Sequence, residues 1–309
     1  MSWKPIVVGV DGSPESVRAA IVGAMIAQRA ETRCVLVSAL PDYERLLLSH
    51  GMMPNVIETA HAVAAHDTEA IRNSLRGHVP DAMVAEMEIS TGHAPVAIAE
   101  AAKRLGAELL VVGNKQHRGL DRLRGSTARH LVRTCDMPVL ISDGGTPAIT
   151  RVLAALDLSY ASGPTLEAAR RWAQLFSAHL RAVHVVEPVP MIPGEAAMIS
   201  DEYYRTDTEI RATGVWADID PREVDKVVRV GHAAPTIARE VAEWRADLLV
   251  LGSHGRGWVD RLLVGSTTEQ LAHRPPALTL VVPVGRPANE ALAVGALPWE
   301  ARETGLATA

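Results

Sequence analysis

The stretch "TGHAPVAIAEAAKRLGAELLVVG" (Thr91–Gly113) returns 139 residues later as "VGHAAPTIAREVAEWRADLLVLG" (Val230–Gly252), with ten of 23 positions identical and no gap. Solenoid repeats recur every 20 to about 50 residues, so an offset this long indicates a duplicated domain. We therefore divide the chain into a first domain at residues 1–145, a second domain at 146–285, and a tail at 286–309 that we expect to be flexible.

Two shorter pairs of segments support the duplication. "IVVGVDGS" (Ile6–Ser13) matches "VLAALDLS" (Val152–Ser159), each an apolar run that ends in Asp, with Ser two residues further on. "DRLRGST" (Asp121–Thr127) matches "DRLLVGST" (Asp260–Thr267). Both halves therefore carry the same motifs in the same order, and a Gly- and Pro-rich stretch at 142–150 separates them.

Apolar runs alternate with helical patterns in each half. Short runs that are apolar on both faces and separated by helices predict a parallel sheet covered on both sides. Right-handed crossovers then give an α/β fold with two tandem, doubly wound, Rossmann-like parallel sheets of five strands each. The predicted strands are Ile6–Val10, Cys34–Leu40, Val84–Ile89, Leu109–Val112, Val139–Ile141, Val152–Leu156, Ala182–Val186, Asp225–Val230, Leu248–Leu251 and Leu278–Val282. The predicted helices of the second half are Pro164–Ala178, Asp201–Thr213, Pro235–Arg245 and Ser266–His273.

The composition excludes several classes of function. The net charge is −5 with no basic block, and the chain has only six Trp, four Tyr and one Phe. The charge gives non-specific nucleic-acid binding no electrostatic support, and the few aromatic residues leave little for base stacking. No apolar run is long enough to predict a membrane span.

Cysteine usage and the N-terminal sequence predict a cytoplasmic protein. The two cysteines, Cys34 and Cys135, have no metal-ligand spacing and cannot form a disulfide framework, so we interpret them as small buried hydrophobes. The N-terminal residues lead directly into a strand pattern without the features of a signal peptide.

A glycine-rich segment, "GSHGRGWVDRLLVGST" (Gly252–Thr267), follows the fourth strand of the second half and leads into a helix. Glycine lets a ligand approach the main chain, and a helix N-terminus binds anions such as phosphate. The segment is not a Walker loop, which needs Gly-x-x-x-x-Gly-Lys-Ser/Thr, and no Gly-x-Gly-x-x-Gly follows the first strand. In a doubly wound sheet the ligand lies where the strand order reverses. Asp11 and Asp157, which end the first strands, should therefore share a crevice with the glycine loops.

The pattern Gly252-x-x-Gly255, nine residues, then Gly265-Ser266, resembles the ATP-binding signature of the universal stress protein family, in its tandem two-domain form. "VDGS" and "LDLS" resemble the end of that family's first strand. The resemblance implies adenine-nucleotide binding, with Mg²⁺ accompanying ATP, and covers the chain to about residue 284. The binding residues that it implies in the second domain are Asp157 and Val185 at the adenine and ribose, Gly252 and Gly255 near the ribose and phosphates, and Gly265, Ser266 and Thr267 at the phosphates.

The first domain departs from this pattern. Its loop has Gln116 where the second glycine belongs, and the following spacer has eight residues instead of nine. A side chain at a site of close approach and a shorter loop should reshape the phosphate cradle. The matching residues that remain are Asp11, Ala39, Gly113, Gly125 and Ser126. We expect a weak or empty first site and a functional second one.

Several residues have a structural interpretation beside the functional one. Asp157 is also a suitable cap for the following helix. His254 and Arg256 lie inside the loop, either against phosphate or as solvated charges. A turn role is the simpler interpretation of His93 and His232. In the second strand of the second half, His184 alternates with apolar neighbours, which predicts a histidine in the core.

Three functions remain open. The first is a non-catalytic ATP-binding stress regulator, because we find no carboxylate pair or lysine near the loop for hydrolysis. The second is a slow ATPase or phosphate-transferring enzyme, and the third is a nucleotide-free interaction scaffold. The last strands of the two halves are apolar edges that should pair within the chain, as the resemblance implies. A homodimer and a regulatory protein partner are further expectations, and the sequence does not define the role of the insert 188–222.

Overall fold

The computed structural model describes residues 3–49, 55–114, 127–142, 148–187, 214–253 and 264–284. In chain order its strands are β1 Ile6–Gly9, β2 Cys34–Leu40, β3 Glu88–Thr91, β4 Leu109–Gly113, β5 Val139–Ser142, β6 Arg151–Ala155, β7 His179–Val186, β8 Asp225–Val230, β9 Leu248–Gly252 and β10 Leu278–Val282. Its helices are α1 Pro14–Arg29, α2 Tyr43–Ser49, α3 Val56–Leu75, α4 Asp81–Ala85, α5 Ala94–Arg104, α6 Thr127–Thr134, α7 Ser162–Phe176, α8 Gly214–Ala217, α9 Ala233–Trp244 and α10 Ser266–His273.

Each half forms the predicted doubly wound parallel sheet. The strand order is β3-β2-β1-β4-β5 in the first half and β8-β7-β6-β9-β10 in the second. Strands β1 and β4, and likewise β6 and β9, are parallel neighbours although they are not consecutive in the sequence. The strand order therefore reverses between these neighbours: the connections on either side of them run in opposite directions. A crevice opens beyond the carboxyl ends of the two strands.

The two sheets join into one sheet of ten strands. Strands β5 and β10 pair antiparallel, with Leu140 opposite Leu280 and Ile141 opposite Thr279. This is the intrachain pairing of the last strands that the family resemblance implied. It covers two apolar strands that would otherwise be sheet edges open to other chains.

Helices cover both faces of this sheet. One core cluster runs through both halves and includes Ile26 of α1 and Ala169 of α7. On the other face, α5 and α6 pack over the first half, and α9 and α10 over the second. Val264 lies just before α10, and Ala272 lies within it. Both pack into the apolar cluster of the first half. The halves thus share apolar core as well as backbone hydrogen bonds.

The predicted strand Val84–Ile89 was wrong at its start. Residues 81–85 form the short helix α4, and β3 begins only at Glu88. The apolar residues Val84 and Met87 are buried and three positions apart, which is a helical spacing and not the alternation of a strand. Pro80 stands directly before this helix, where the missing amide of proline costs nothing.

The other predicted elements lie within a few residues of those observed. The helix predicted at Pro164–Ala178 is Ser162–Phe176, and that predicted at Pro235–Arg245 is Ala233–Trp244. The helix predicted at Asp201–Thr213 falls outside the described residues, and so does the tail from residue 286. In the part of the chain that the structure describes, no helix has both the length and the apolar character needed to cross a bilayer.

Candidate functional site

A cavity of about 480 Å³ opens beyond the carboxyl ends of β6, β7 and β9. This volume is within the roughly 300–1,000 Å³ of small-molecule sites. The start of α7, the start of α9 and the start of α10 complete its wall. The polar residues among those described in its lining are Asp157, Ser162, Thr165, His184, Glu187, Ser266, Thr267 and Thr268. The sequence-predicted residues Asp157, Val185, Gly252, Gly265, Ser266 and Thr267 all line this one cavity.

Asp157 lines the cavity, but the prediction that it could cap the following helix is wrong: the N-cap of α7 is Ala161, and no side chain caps this helix. Its Oδ1 accepts hydrogen bonds from the Ser159 amide at 3.0 Å, the Ser159 hydroxyl at 2.7 Å and the Ser162 hydroxyl at 3.2 Å. These bonds fix the turn that leads into α7, because an Asp side chain readily bonds to the backbone two residues further on. Because the residue also lines the cavity, the turn holds its carboxylate at the ligand side of the sheet.

The turn after Asp157 is strained. Leu158 has a φ of 61°, whereas its counterpart in the first half is Gly12 with a φ of 78°. A left-handed conformation costs a β-carbon-bearing residue roughly 1 kcal/mol, and such strain is typical of functional sites. The Leu158 side chain packs against the core, which offsets part of this cost.

The end of β7 forms a second wall. Val185 lines the cavity, and His184 is 5% exposed with its Nδ1 2.7 Å from the carbonyl oxygen of Leu156. His184 is thus a partnered core histidine that also reaches the cavity. Glu187 Oε1 accepts a hydrogen bond of 2.9 Å from the Ala233 amide at the start of α9, so it anchors β7 to that helix.

The start of α10 borders the cavity at the place where the sequence predicts phosphate binding. The first intrahelical bond is from the Glu269 amide to the Gly265 carbonyl oxygen, at 2.8 Å. The amides of Ser266, Thr267 and Thr268 precede it and have no intrahelical acceptor. Three donors and the positive end of a helix dipole therefore border the cavity, an arrangement that binds anions.

Gly265 differs in detail from its expected role. Its amide donates a hydrogen bond of 3.0 Å to the Ser253 carbonyl oxygen, so this donor is already used within the protein. What Gly265 contributes to the cavity is the absence of a side chain at the helix cap. The predicted residues His254 and Gly255 lie outside the described residues.

Sequence reasoning missed Thr268 and Glu187. Thr268 is 7% exposed, and its hydroxyl donates to the Gly252 carbonyl oxygen at 2.8 Å, which fastens α10 to β9. Its position directly after the Gly-Ser-Thr motif was an available signal. Glu187 follows an apolar strand that ends on the ligand side, as Asp157 does, and the same argument would have found it.

The described lining of the cavity has two carboxylates, Asp157 and Glu187, and no lysine or arginine. Among the described residues, no group of three His, Cys, Asp or Glu side chains could hold a metal ion. Mg²⁺ is often bound by one or two carboxylates together with substrate phosphates. The residues present therefore fit a Mg²⁺ ion that arrives on the phosphates of a nucleotide, and not an ion held by the protein alone.

The corresponding cavity of the first domain has a volume of only about 100 Å³. Asp11, Ala39 and Gly113 line it, as predicted for the first-domain site residues that the structure describes. Asp11 Oδ1 accepts hydrogen bonds from the Ser13 amide, at 3.0 Å, and from the Ser13 hydroxyl. Gln116, Gly125 and Ser126 lie outside the described residues.

Fold and site together define a tandem α/β protein with a cavity of about 480 Å³ at the switch point of the second half of its sheet. A model of the universal stress protein family matches the chain twice, over residues 2–142 and 148–283. The chain therefore belongs to the universal stress protein family.

Individual relatives agree with this assignment. A universal stress protein of Mycolicibacterium smegmatis is 28% identical over 286 residues, which cover 90% of this chain and 96% of the relative. One from Thermus aquaticus is 31% identical over 133 residues, 42% of this chain and 96% of the relative. The crystal structure of a universal stress protein from Archaeoglobus fulgidus superposes with a TM-score of 0.60 at 17% identity, covering 91% of this chain and 96% of that one, and this likeness shows the fold.

Proposed function

We propose that this protein is a non-catalytic, ATP-binding stress regulator that holds its nucleotide in the second domain. The observation that carries the proposal is the cavity of about 480 Å³. It is bordered by a carboxylate at the end of a strand and by the start of a helix, where three backbone amides have no intrahelical acceptor. Such a site suits a ligand with an apolar or hydrogen-bonding head and an anionic tail.

The order of residues along the cavity fits a bound adenine nucleotide. Val185 at the end of β7 would contact the base through its main chain, and Asp157 would face the ribose. The amides and hydroxyls of Ser266 and Thr267 would bind the phosphates, and Mg²⁺ would accompany them. ATP would then bridge β6, β7 and α10, so its presence or absence would bias how these elements pack.

The described lining also supports binding without rapid turnover. Hydrolysis needs an oriented water and groups that stabilise charge on the transferred phosphoryl group. Asp157 is engaged by Ser159 and Ser162, and the described lining contains no lysine or arginine. The proposal extends to a cytoplasmic location, a homodimer and a regulatory protein partner, for which the bound nucleotide would be the signal.

The test is to denature the purified protein and quantify the adenine nucleotide released per chain. We expect about one ATP per chain, lost in Gly265→Glu because a carboxylate at the helix cap would repel phosphate. The matched control is Gly163→Glu, since a side chain at Gly163 meets no atom within 4 Å, and this variant should keep its nucleotide.

Two results would contradict the proposal. No released nucleotide, and no binding of added ATP with Mg²⁺, would leave the scaffold function. Steady production of ADP that Asp157→Ala abolishes would instead make the protein an enzyme that uses the same cavity.

A further inference from the structure

The joint between the two halves has an approximate two-fold axis. Where β5 and β10 pair, Leu140 lies opposite Leu280, and the two leucines are equivalent in the repeat, at the same distance in sequence from Ser126 and Ser266. The residue before Leu140 pairs with the residue after Leu280, and the reverse holds on the other side. Each half therefore meets the other half as it would meet a second copy of itself.

The apolar part of this joint does not distinguish the halves. Leu140 would pair with another Leu140 as it does with Leu280, and an apolar strand edge pairs with any similar edge. Val132 of α6 and Ala272 of α10 are likewise equivalent, and both belong to one apolar cluster. A choice between the second half of the same chain and a half of another chain therefore depends on the polar groups of the joint.

The charges where α6 packs against α10 do distinguish the halves. Glu269 Oε1 lies 2.5 Å from Arg133 Nη2 and 3.6 Å from Arg129 Nε. Arg129 is the counterpart of Glu269 in the repeat, so opposite charges stand at equivalent positions on the two sides of the axis. The first half presents cations at this contact, and the second half presents an anion.

We propose that these charges select the partner of each half, so that α6 accepts α10 and rejects another α6. Two first halves would place Arg129 against Arg129, with both Arg133 side chains beside them. Two second halves would place Glu269 against Glu269, with His273 where Arg133 stands. Like charges in contact disfavour a wrong partner. The chain therefore closes on itself, and any homodimer has to use a different surface.

This selection does not need a strong ion pair. The three side chains are between 32% and 41% exposed, and a pair with this exposure stabilises a protein little by itself. The partner is decided by the difference between attraction in one pairing and repulsion in the other two. Apolar burial thus holds the joint together, and the charges choose which halves form it.

The first experiment compares charge variants of the full chain by thermal unfolding. Glu269→Arg makes the contact cationic on both sides, and Arg129→Glu with Arg133→Glu makes it anionic on both sides. Each should lower the midpoint by about 2–4 °C, and the variant with all three exchanges should recover most of this loss. Glu243→Arg makes the same change of charge at an exposed position of α9 and is the matched control, which should melt as wild type does.

The second experiment tests selection between chains. Tagged chains with Glu269→Arg and untagged chains with Arg129→Glu and Arg133→Glu are unfolded in urea and refolded together. Each first half is then complementary to the second half of the other chain, which favours a reciprocal exchange of halves. We expect mixed dimers by size exclusion and tag capture, several-fold above the mixed fraction that tagged and untagged wild type give.

Recovery in the triple variant together with mixed dimers would support the inference. No loss in the like-charge variants, or losses that simply add in the triple variant, would overturn it, because the charges would then not act as a set. Recovery without mixed dimers would also overturn it, since the charges would stabilise the joint without choosing the partner. No nucleotide takes part, so these outcomes are independent of the proposed ATP site.

Discussion

The Gly265 amide donates a hydrogen bond of 3.0 Å to the Ser253 carbonyl oxygen, and this bond ties the two ends of the glycine-rich loop together. The Ser253 hydroxyl accepts a hydrogen bond of 3.0 Å from the Val284 amide, and the Ser253 amide donates one to the Val282 carbonyl oxygen. One buried serine thus connects β9, β10 and the cap of α10. These bonds fix the start of α10 to the sheet within the protein itself.

Thr268→Val should weaken nucleotide binding. The variant keeps the side-chain shape but removes the hydrogen bond of 2.8 Å to the Gly252 carbonyl oxygen, which holds α10 against β9. Loss of a buried hydrogen bond costs about 1–3 kcal/mol, and here the loss falls on the helix that would bind the phosphates in the proposed function. We expect lower thermal stability together with weaker ATP binding in a titration.

Thr279→Val is the matched control for this variant. Thr279 is fully buried on β10, and its hydroxyl donates to the Ala277 carbonyl oxygen at 3.0 Å, near the start of the strand and away from the cavity. It should lose similar stability with unchanged affinity. Equal loss of affinity in both variants would mean that Thr268 acts only through global stability.

Replacing Glu240 should destabilise the second domain more than replacing an exposed partner in the same ion network. Its side chain is 1% exposed and accepts hydrogen bonds from Arg181 at 2.8 Å and from Arg229 at 2.7 Å. Its removal takes a buried acceptor from both arginines, but Arg181 keeps Asp225 and the Arg229 side chain is 41% exposed, so we expect a loss of about 1–3 kcal/mol. Urea unfolding of Glu240→Ala should show this loss.

Asp225→Ala provides the comparison. Asp225 also pairs with Arg181, at 2.5 Å, but its side chain is 53% exposed. Water can replace such a partner, so we expect a loss below about 1 kcal/mol. Similar losses in the two variants would contradict a role for burial in this network.

Arg171 should hold the N-terminal segment of the first domain to the second. It pairs with Glu108, and its guanidinium carbon lies 3.9 Å from the centre of the Trp3 ring, which itself packs edge-on against Trp172. Arg171→Ala removes an ion pair and a cation–π contact together, which should cost about 1–3 kcal/mol. Arg171→Lys should recover only part of this, because lysine lacks the planar guanidinium.

The measurement is thermal unfolding, with Arg18→Ala as the control. Arg18 pairs with Glu15 within a single helix at 3.0 Å, and its side chain is 38% exposed, so its loss should change stability by less than about 1 kcal/mol. An Arg171→Ala variant as stable as Arg18→Ala would show that the β5–β10 pairing and the shared core suffice to hold the halves together.

The repeated motifs made most of the fold and site predictable. Asp11 and Asp157 could be assigned to the ligand side because each ends a buried strand, and parallel strands all end at one edge. The start of β3 could not be assigned correctly from the sequence. The mainly apolar segment that contains Val84 and Met87 is too short for its periodicity to distinguish a helix from a strand.

The close packing at Gly113 was hidden for a different reason. The sequence shows a glycine at the end of β4, but not that the main chain of Glu15 lies against it. Likewise, the sequence does not show that the Gly265 amide donates its hydrogen bond to the Ser253 carbonyl oxygen, because this bond depends on the folded structure. Contacts between residues distant in sequence decide these features, and local pattern does not report them.

The two thiols should be unreactive in the folded protein. Burial raises the pKa of Cys34 to about 12, and burial together with the neighbouring Asp136 raises the pKa of Cys135 to about 11. Since only the thiolate is nucleophilic, iodoacetamide at about pH 8.5 should label neither residue until the protein is denatured. Rapid labelling of Cys34 in the native protein, followed by mass spectrometry, would contradict this.

The same shifts make stability depend on alkaline pH. Unfolded cysteine titrates near about 8.5, so above that pH the unfolded chain loses protons that the folded chain still holds. The free energy of unfolding should therefore fall as the pH rises from about 8.5 toward the folded-state value of Cys34, about 12. Cys34→Ala should make this decline shallower, and Cys135→Ala should do so to a smaller extent, because its shift is smaller. Identical pH profiles for wild type and Cys34→Ala in urea unfolding would show that the thiol is not held protonated by the fold.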